Sequence, residues 1–199
     1  WICDAVRAAF GDNDTVSQHF SVKKGMDTGS NDQFLRRWFE IEFASTSVSS
    51  GDSTENQMEG ARWVPYNKGG SYRKWYGNHE YVLDWHNDGR AVRAHSGSTI
   101  RNEGYYFQPS VSWSDISSSN FGVRSYPNGF IHDNSGPSVF GNEALLPLLL
   151  AYMAGPLTPA FLSILNPTLH YQIGNVSDLP WLVSCAASVG QSAGHCIDH

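Results

Sequence analysis

The sequence has 199 residues, enough for one domain of ordinary size or for one domain with an appended helical segment. Apolar residues make up 40% of it and charged residues only 16%, so the composition disfavours a helical bundle and favours a loop-rich fold of short strands. The net charge of −6 argues at first against a nucleic-acid partner.

The distribution of charge changes that first impression. All 13 Lys and Arg residues lie at or before Arg124. Between residues 62 and 124, eight basic residues stand against five acidic ones, a surplus of three positive charges. A basic middle is compatible with a surface that faces phosphates.

Local patterns predict the first elements of the chain. Loose alternation predicts a strand over 16–22, and a turn cluster rich in Gly and Asn follows at 23–32. The aromatic segment 34–43 fits a helical turn that runs into a strand, and periodicity does not decide between the two. Residues 44–60, rich in Ser, Thr, Gly and acids, are interpreted as a mobile loop.

The middle of the chain predicts a twisted sheet or a partly closed barrel built from short strands. A helix is expected at 88–94. The strands are expected at 62–66, 71–75, 81–85, 104–108, 111–116, 122–126 and 129–132.

The last third changes character. Helices are predicted at 142–153 and 158–165, joined by Gly155-Pro156, with one more strand at 171–173 and a small-residue tail at 184–199 that frays or crosses to a missing part. We therefore expect an α+β fold, strand-rich and mostly antiparallel, with a C-terminal helical pair. The expected units are a remnant of a preceding segment, a strand-rich recognition domain, a helical closing segment and a tail, at 1–15, 16–141, 142–181 and 182–199.

The two ends and the cysteines point to a cytoplasmic piece of a longer protein. The chain opens on Trp1 in what reads as the middle of an element, and it shows no signal peptide. The most apolar stretch, 145–153, contains Pro147 and is too short to span a bilayer, so no membrane association is expected. Cys3, Cys185 and Cys196 are too few and too far apart for a disulfide framework, which favours free thiols.

Catalytic signatures are missing from the sequence. A methyltransferase acting on adenine needs a Gly-rich turn for S-adenosylmethionine and an Asn/Asp-Pro-Pro-Tyr/Phe loop that bonds and stacks on the flipped base. Asn166-Pro167-Thr168-Leu169 lacks the second proline and the aromatic, and it reads as a helix stop. No phosphate-binding loop, zinc-protease motif or nucleophile elbow is present, so we predict no catalytic residue and no metal ligand.

The strongest candidate for binding is the segment 67–78, NKGGSYRKWYGN. Its basic residues can neutralise phosphates, its aromatic residues can stack, and Asn67 and Asn78 can read adenine edges. The alternative is that Trp75 and one tyrosine belong to the core and that the lysines are merely solvated. The predicted contacts in this segment are Lys68, Tyr72, Arg73, Lys74, Tyr76 and Asn78.

Weaker candidates come from three other segments. The segment 111–124 offers hydroxyls and a cation, although its hydroxyls can equally satisfy their own backbone. The predicted DNA contacts there and in the turn before it are Arg101, Ser117, Ser118, Ser119, Asn120 and Arg124. Possible phosphate contacts near the first turn cluster are Lys23, Lys24, Thr28, Asn31 and Arg36.

Several of these runs resemble a known family. KGMDTGSNDQFLRRWFE at 24–40 resembles the Gly-x-x-Thr-Gly-x-Asn…Phe-x-Arg element of type I specificity subunits and of type IIG restriction–methylation enzymes. The runs at 63–85, 101–124 and 129–140 resemble the region that follows the catalytic domain in PglX-type methyltransferases of phage-exclusion systems. LNPTLHYQIGNVSDLPW at 165–181 resembles the element that closes that recognition domain.

This resemblance, and not composition, implies a role. The parent protein would methylate the exocyclic amine of adenine with S-adenosylmethionine, in defence against phage and in marking host DNA. This portion would dock on double-stranded DNA and select the site, beside a catalytic domain in the same parent chain. The family's catalytic residues have no counterparts here, and the cofactor would bind outside this chain.

Two other readings remain open at this stage. Seven Trp and nine Tyr residues would suit a carbohydrate-binding module, whose binding would be insensitive to salt. A stand-alone enzyme with an unrecognised site would reveal itself by turnover in the purified chain.

Overall fold

A computed structural model describes residues 2–47, 61–117 and 120–182. Within these ranges the chain has two four-stranded sheets, mostly antiparallel, together with several helices that include a C-terminal pair. The expected α+β, strand-rich and mostly antiparallel class is therefore confirmed. The helices are α1 (Asp4–Gly11), α2 (Val16–His19), α3 (Asn31–Phe34), α4 (His86–Ala94), α5 (Leu146–Ala154), α6 (Leu157–Leu165) and α7 (Ile173–Ser177).

The first sheet contains strands from both ends of the described chain. Its order is β1 (Ser21–Lys23), β8 (Ser138–Phe140), β5 (Ser110–Trp113) and β6 (Val123–Tyr126), and every pair in it is antiparallel. Side chains alternate between its faces, so Val111, Trp113, Val123 and Val139 enter the larger apolar core together with α5 and α6. The opposite face is polar and includes Ser112 and Arg124.

The second sheet has the order β2 (Leu35–Arg37), β4 (Tyr81–Asp84), β3 (Trp63–Asn67) and β7 (Ile131–His132). Only the β3–β7 pair is parallel. The smaller apolar core lies against this sheet and includes Met26, Tyr66, Leu83, Trp85 and Ile131. Each sheet thus has its own apolar cluster, and polar side chains lie between the two sheets.

Asn67 links the sheets through a fully buried side chain. At the end of β3, its Nδ2 lies 2.7 Å from Ser112 Oγ on β5 and 3.3 Å from both Gly136 O and His132 Nδ1. Its Oδ1 accepts a 3.0 Å bond from the backbone N–H of Gly69, which fixes the start of the next loop. Because unpaired polar groups are costly when buried, this satisfied amide holds the two sheets in one register.

Several sequence expectations hold, and others fail for physical reasons. Strands at 62–66, 81–85 and 122–126 and the helix at 158–165 are confirmed within one residue. The helix expected at 142–153 is the 3-10 turn Glu143–Leu145 followed by α5. The strand expected at 16–22 is a helical turn followed by a three-residue strand, because Thr15 and Gln18 form a capping box.

The strands expected at 71–75, 104–108 and 171–173 are wrong. The first is a loop in which Trp75 has a left-handed φ, the second contains the 3-10 turn Glu103–Tyr105, and the third runs into α7. The aromatic segment 34–43 ends its strand after Arg37. The segment 48–60, Ser118, Ser119, Cys185, Cys196 and the tail at 184–199 lie outside the described residues, whereas Cys3 is an exposed free thiol.

No single helix in the described part of the chain is long and apolar enough to cross a membrane. Residues Glu143–Ala154 and Leu157–Leu165 reach the necessary length and composition only when taken together, and they are bent by 72° at the break between them.

Replacing Asn67 by alanine tests the link between the sheets. We expect Asn67→Ala to lower the free energy of unfolding by about 2–4 kcal/mol, because it leaves Ser112, the Gly69 N–H and the Gly136 carbonyl with fewer partners in a buried site. Urea titration measures this loss. Asn13→Ala, which removes an exposed amide bonded only to Ala9 O, is the matched control and should cost less than about 1 kcal/mol. Equal losses in the two variants would contradict the role given to Asn67.

Candidate nucleic-acid interface

The loop between β3 and β4 carries the strongest sequence candidates, and its backbone is fastened to the first sheet. The Trp75 N–H donates to Val123 O at 3.0 Å, and the Ser125 N–H donates to Trp75 O at 2.8 Å. Ser114 Oγ donates to Gly70 O at 2.7 Å. These contacts explain why 71–75 is not a strand with alternating faces, since its one bridge is to Arg124 of β6.

The outward side chains of this loop are the ones that a ligand can reach. Tyr76 is 57% exposed, Tyr72 is exposed at 41%, and Arg73 is exposed with Glu80 4.0 Å away. Trp75 is half-buried and packs against the larger core, which agrees with one part of the alternative given for this segment, whereas neither Tyr72 nor Tyr76 is in the core. The loop thus presents two tyrosines and a cation outward while a tryptophan anchors it.

The structure also brings the other candidate segments next to this loop. Asn102 Nδ2 donates to Lys24 O at 2.8 Å, and Lys24 Nζ lies 3.3 Å from Asp115 Oδ2. Ser114, next to Asp115, contacts both Gly70 and Arg124. Segments that are widely separated in sequence therefore form one continuous region.

Most predicted cations in that region already have partners within the protein. Lys68 pairs with the buried Asp133 at 2.8 Å, and Lys74 Nζ donates to Ala154 O at 2.8 Å. Arg36 donates to the carbonyls of Asp32 and Leu35, and Lys23 lies over the Tyr105 ring. Arg101 and Asn120 are exposed, and Ser117 bonds to Asn120 O and Leu169 O. DNA contact by all of these residues stays a prediction.

The first turn cluster has a structural explanation that the sequence did not give. A Cβ on Gly25 would lie 1.7 Å from His132 O, so only glycine permits this close approach to β7. Thr28 is fully buried and donates to Asn31 Oδ1 at 2.8 Å. The expected phosphate contact by Thr28 does not hold in this conformation, because the side chain has no exposed surface.

Three other candidates are also buried. Asn67 belongs to the link between the sheets, and Asn78, with a φ of 62°, donates from Nδ2 to Ser71 O within its own loop. Neither asparagine presents an amide to a base edge in this conformation, and adenine contact by either stays a prediction. Arg124 has no solvent-exposed surface either.

An aromatic cavity of about 500 Å³ lies beside the loop and was missed by the sequence reasoning. Trp38 and Phe43, exposed at 54% and 56%, lie at its edge, and Phe39 is exposed beside them. The density of aromatic residues at 34–43 is the sequence signal for this cavity, whereas the pattern of that segment was used only to predict secondary structure. The other lining residues are Thr46, Ser47, Pro65, Tyr76, His79, Tyr81, Val82, Pro127, Asn128, Gly129 and Phe130.

His79 sits among aromatic rings at this cavity. Its ring centroid lies 4.4 Å from Tyr76, 4.7 Å from Tyr126 and 4.8 Å from Phe130, and its Nε2 has no hydrogen-bond partner. Burial lowers the pKa of His79 to about 4, since the neighbouring Glu80 offsets the loss of hydration only in part. His79 is therefore neutral at physiological pH. Among the residues described, no group of three or more His, Cys, Asp or Glu side chains is arranged to hold a metal ion.

Two known proteins are similar to this chain. It is 40% identical over 169 residues to the adenine-specific methyltransferase PglX of Lacticaseibacillus casei (strain Zhang). It is 37% identical over 162 residues to the adenine-specific methyltransferase BrxX of Escherichia coli O9:H4 (strain HS). The alignments cover 80% and 79% of this chain but only 14% and 13% of the two relatives, so the chain spans a small part of their length. No family model matches the sequence.

The depressed pKa of His79 predicts a pH dependence of stability. Because the pKa in the folded state lies below the unfolded value of about 6.5, the unfolded chain binds the extra proton first, and stability falls as the pH drops below 6.5. His79→Phe keeps the aromatic packing and should remove at most about 1.4 kcal/mol of this loss per pH unit between pH 6 and 4.5. Urea unfolding at several pH values measures the slope for each variant. His86→Phe, at an exposed position, controls for the exchange of an imidazole for a phenyl ring. An unchanged slope in His79→Phe would contradict the assignment.

Proposed function

We propose that this chain, associated by its sequence with the PglX and BrxX methyltransferases, is the DNA target-recognition portion of an adenine-specific methyltransferase in a phage-defence system. The observation that carries the proposal is the match of most of this chain to a small part of each relative, combined with a sequence that lacks the motifs for methyl transfer. A catalytic domain elsewhere in the same parent would carry out the reaction.

The described residues do not fit a site for S-adenosylmethionine. Nucleotide-like cofactors are generally held where a parallel strand passes through a Gly-rich turn into a helix, beside an acidic residue for the ribose. The only parallel pair among the described strands is β3–β7, and no Asp or Glu lines the aromatic cavity. We therefore assign the cofactor to the catalytic domain and no step of the reaction to this chain.

The proposed contact surface is the exposed side of the loop 68–80 with its neighbouring segments. Arg73 and Arg101 would contact phosphates and set the register on double-stranded DNA, while Tyr72 and Tyr76 offer rings and hydroxyls to the groove. Because many other cations are paired internally, affinity would depend on a few phosphate contacts and on shape. The salt dependence should accordingly be moderate.

Exchange of the segment tests the function directly. Residues 16–181 would be replaced in the parent by the matching segment of a relative that methylates a different motif, and methylated adenines would be mapped across the genome. We expect the methylated motif to follow the exchanged segment. Exchange of an equally long segment outside the matched region is the control and should leave the motif as it was. A motif that ignores the exchange of 16–181 would overturn the proposal.

Arg73→Ala tests the contact surface. If Arg73 contacts a phosphate, its loss weakens binding similarly on all duplex sequences and lowers the slope of log K against log salt by about 0.9. Titration of labelled duplexes at several salt concentrations measures both effects. Arg7→Ala removes the same charge from an exposed position on α1, outside the proposed contact surface, and should change neither.

Two results would count against this use of Arg73. Equal binding by Arg73→Ala and the unaltered chain at every salt concentration would exclude a contact through this residue. Relaxed discrimination at one target position, with an unchanged slope, would show that Arg73 reads a base instead.

Binding of sugars that does not depend on salt would favour a carbohydrate-binding module, which the names of the relatives do not support.

A further inference from the structure

Arg124 is a buried cation with little internal compensation. It lies on the polar face of β6 with 0% of its surface exposed. Its Nη2 bonds to Ser114 Oγ at 3.2 Å, and its charge and a side-chain contact with the Tyr126 hydroxyl partly offset the effect of burial on the pKa of that phenol. Among the described residues, Nε and Nη1 have no hydrogen-bond partner. Within the described ranges, no carboxylate lies within ion-pair distance of its guanidinium.

A buried guanidinium without a paired carboxylate lowers the stability of the folded state, so stability alone does not explain why Arg124 is at this position. Removing a guanidinium from water costs far more free energy than one neutral hydrogen bond contributes. An apolar side chain of similar size would fill the same space without this desolvation cost. The contrast with Lys68 is informative, because that cation pairs directly with Asp133 and the same carboxylate accepts from Tyr66. The fold pairs a buried charge there and leaves the Arg124 charge without a counter-ion.

The loop 69–78 lies against the strand that carries Arg124. The backbone of Trp75 pairs with β6 on both sides of Arg124, and Ser114 Oγ bonds to both Gly70 O and the Arg124 guanidinium. In this closed position Trp75 has a left-handed φ of 72°, which a tryptophan adopts at a cost, whereas Asn78, with a φ of 62°, is of a residue type that tolerates this region. The closed loop therefore combines backbone strain with an uncompensated charge beneath it.

We propose that the loop 69–78 moves aside when the chain docks on double-stranded DNA, and that Arg124 then binds a phosphodiester oxygen. This inference rests on the proposed function and adds a specific anion site to it. A phosphate fits better than a base edge because it supplies the negative charge that the buried guanidinium lacks, whereas a guanine offers only neutral acceptors. Arg73 on the outer side of the same loop would make the first contact.

The first test compares Arg124→Met with the unaltered chain in the absence of DNA. Because methionine fills the site without a charge, we expect thermal unfolding at the same or a higher temperature. Arg7→Met, at an exposed position on α1, controls for the loss of one charge. A clearly lower unfolding temperature for Arg124→Met alone would show that the guanidinium stabilises the closed loop, and it would overturn the proposal.

The second test locates the phosphate. Each phosphate of a duplex carrying the methylated motif would be replaced in turn by an uncharged methylphosphonate, and both chains would be titrated against every duplex. We expect one position at which the unaltered chain loses about tenfold in affinity while Arg124→Met, already weaker by the same factor, loses nothing more. Losses at the other positions should be the same for both chains.

The outcomes separate this inference from the function on which it rests. If the unaltered chain discriminates the motif but both chains give identical phosphate profiles, Arg124 binds no phosphate and only this inference fails. If the unaltered chain binds no duplex, the proposed function fails as well. Inorganic phosphate, compared with chloride at equal ionic strength, should not raise the unfolding temperature of the unaltered chain; a rise that is absent in Arg124→Met would assign the site to a free anion instead of DNA.

Discussion

The contact between Asn67 and Ser112 is the constraint on which the rest of the structure depends. Each sheet packs its own apolar cluster on one face. Between the sheets, the described residues meet through ring contacts of His132 with Tyr126 and Phe140 and through a buried polar network. The Asn67 amide makes that connection and also receives the Gly69 N–H, which sets the direction of the following loop. His132 and Ser138 extend the same buried network from the other side, at 3.0 Å from one another.

This arrangement explains why the surface next to the network carries so little free positive charge. Because buried polar groups need partners, the polar side chains that the sequence suggests as ligand contacts are bonded to other groups of the protein at this interface. Lys68 and Lys24 are held by Asp133 and Asp115, and the burial of His132 lowers its pKa to about 3, which keeps it neutral. What remains outward is a short tyrosine-rich loop beside an aromatic cavity, so recognition would rest more on shape and stacking than on net charge.

Sequence patterns predicted the regular parts of this fold and failed where polar residues are internal. Short runs bounded by Gly, Pro and Asn predicted the strands around Val64, Leu83 and Val123. Sequence reasoning assigns a polar residue to the surface, and it therefore could not foresee that Asn67 and Arg124 are buried. The strand predicted at 71–75 is wrong for another reason. Its aromatic residues suit a strand, but the left-handed backbone at Trp75 makes the segment a loop. Within the candidate site, the exposed tyrosines at 72 and 76 were predicted, whereas the aromatic cavity was not.

The pairing of β1 with β8 has a consequence for how such proteins diversify. Ser21 lies opposite Phe140, and Met26 bonds to His132, so the first strand is completed only by residues more than a hundred positions later. A recombination crossover anywhere between these strands would join a first strand from one ancestor to a last strand from another, with mismatched packing. Under the proposed function, new specificities would therefore be inherited most readily as one undivided block, with breakpoints outside 21–140.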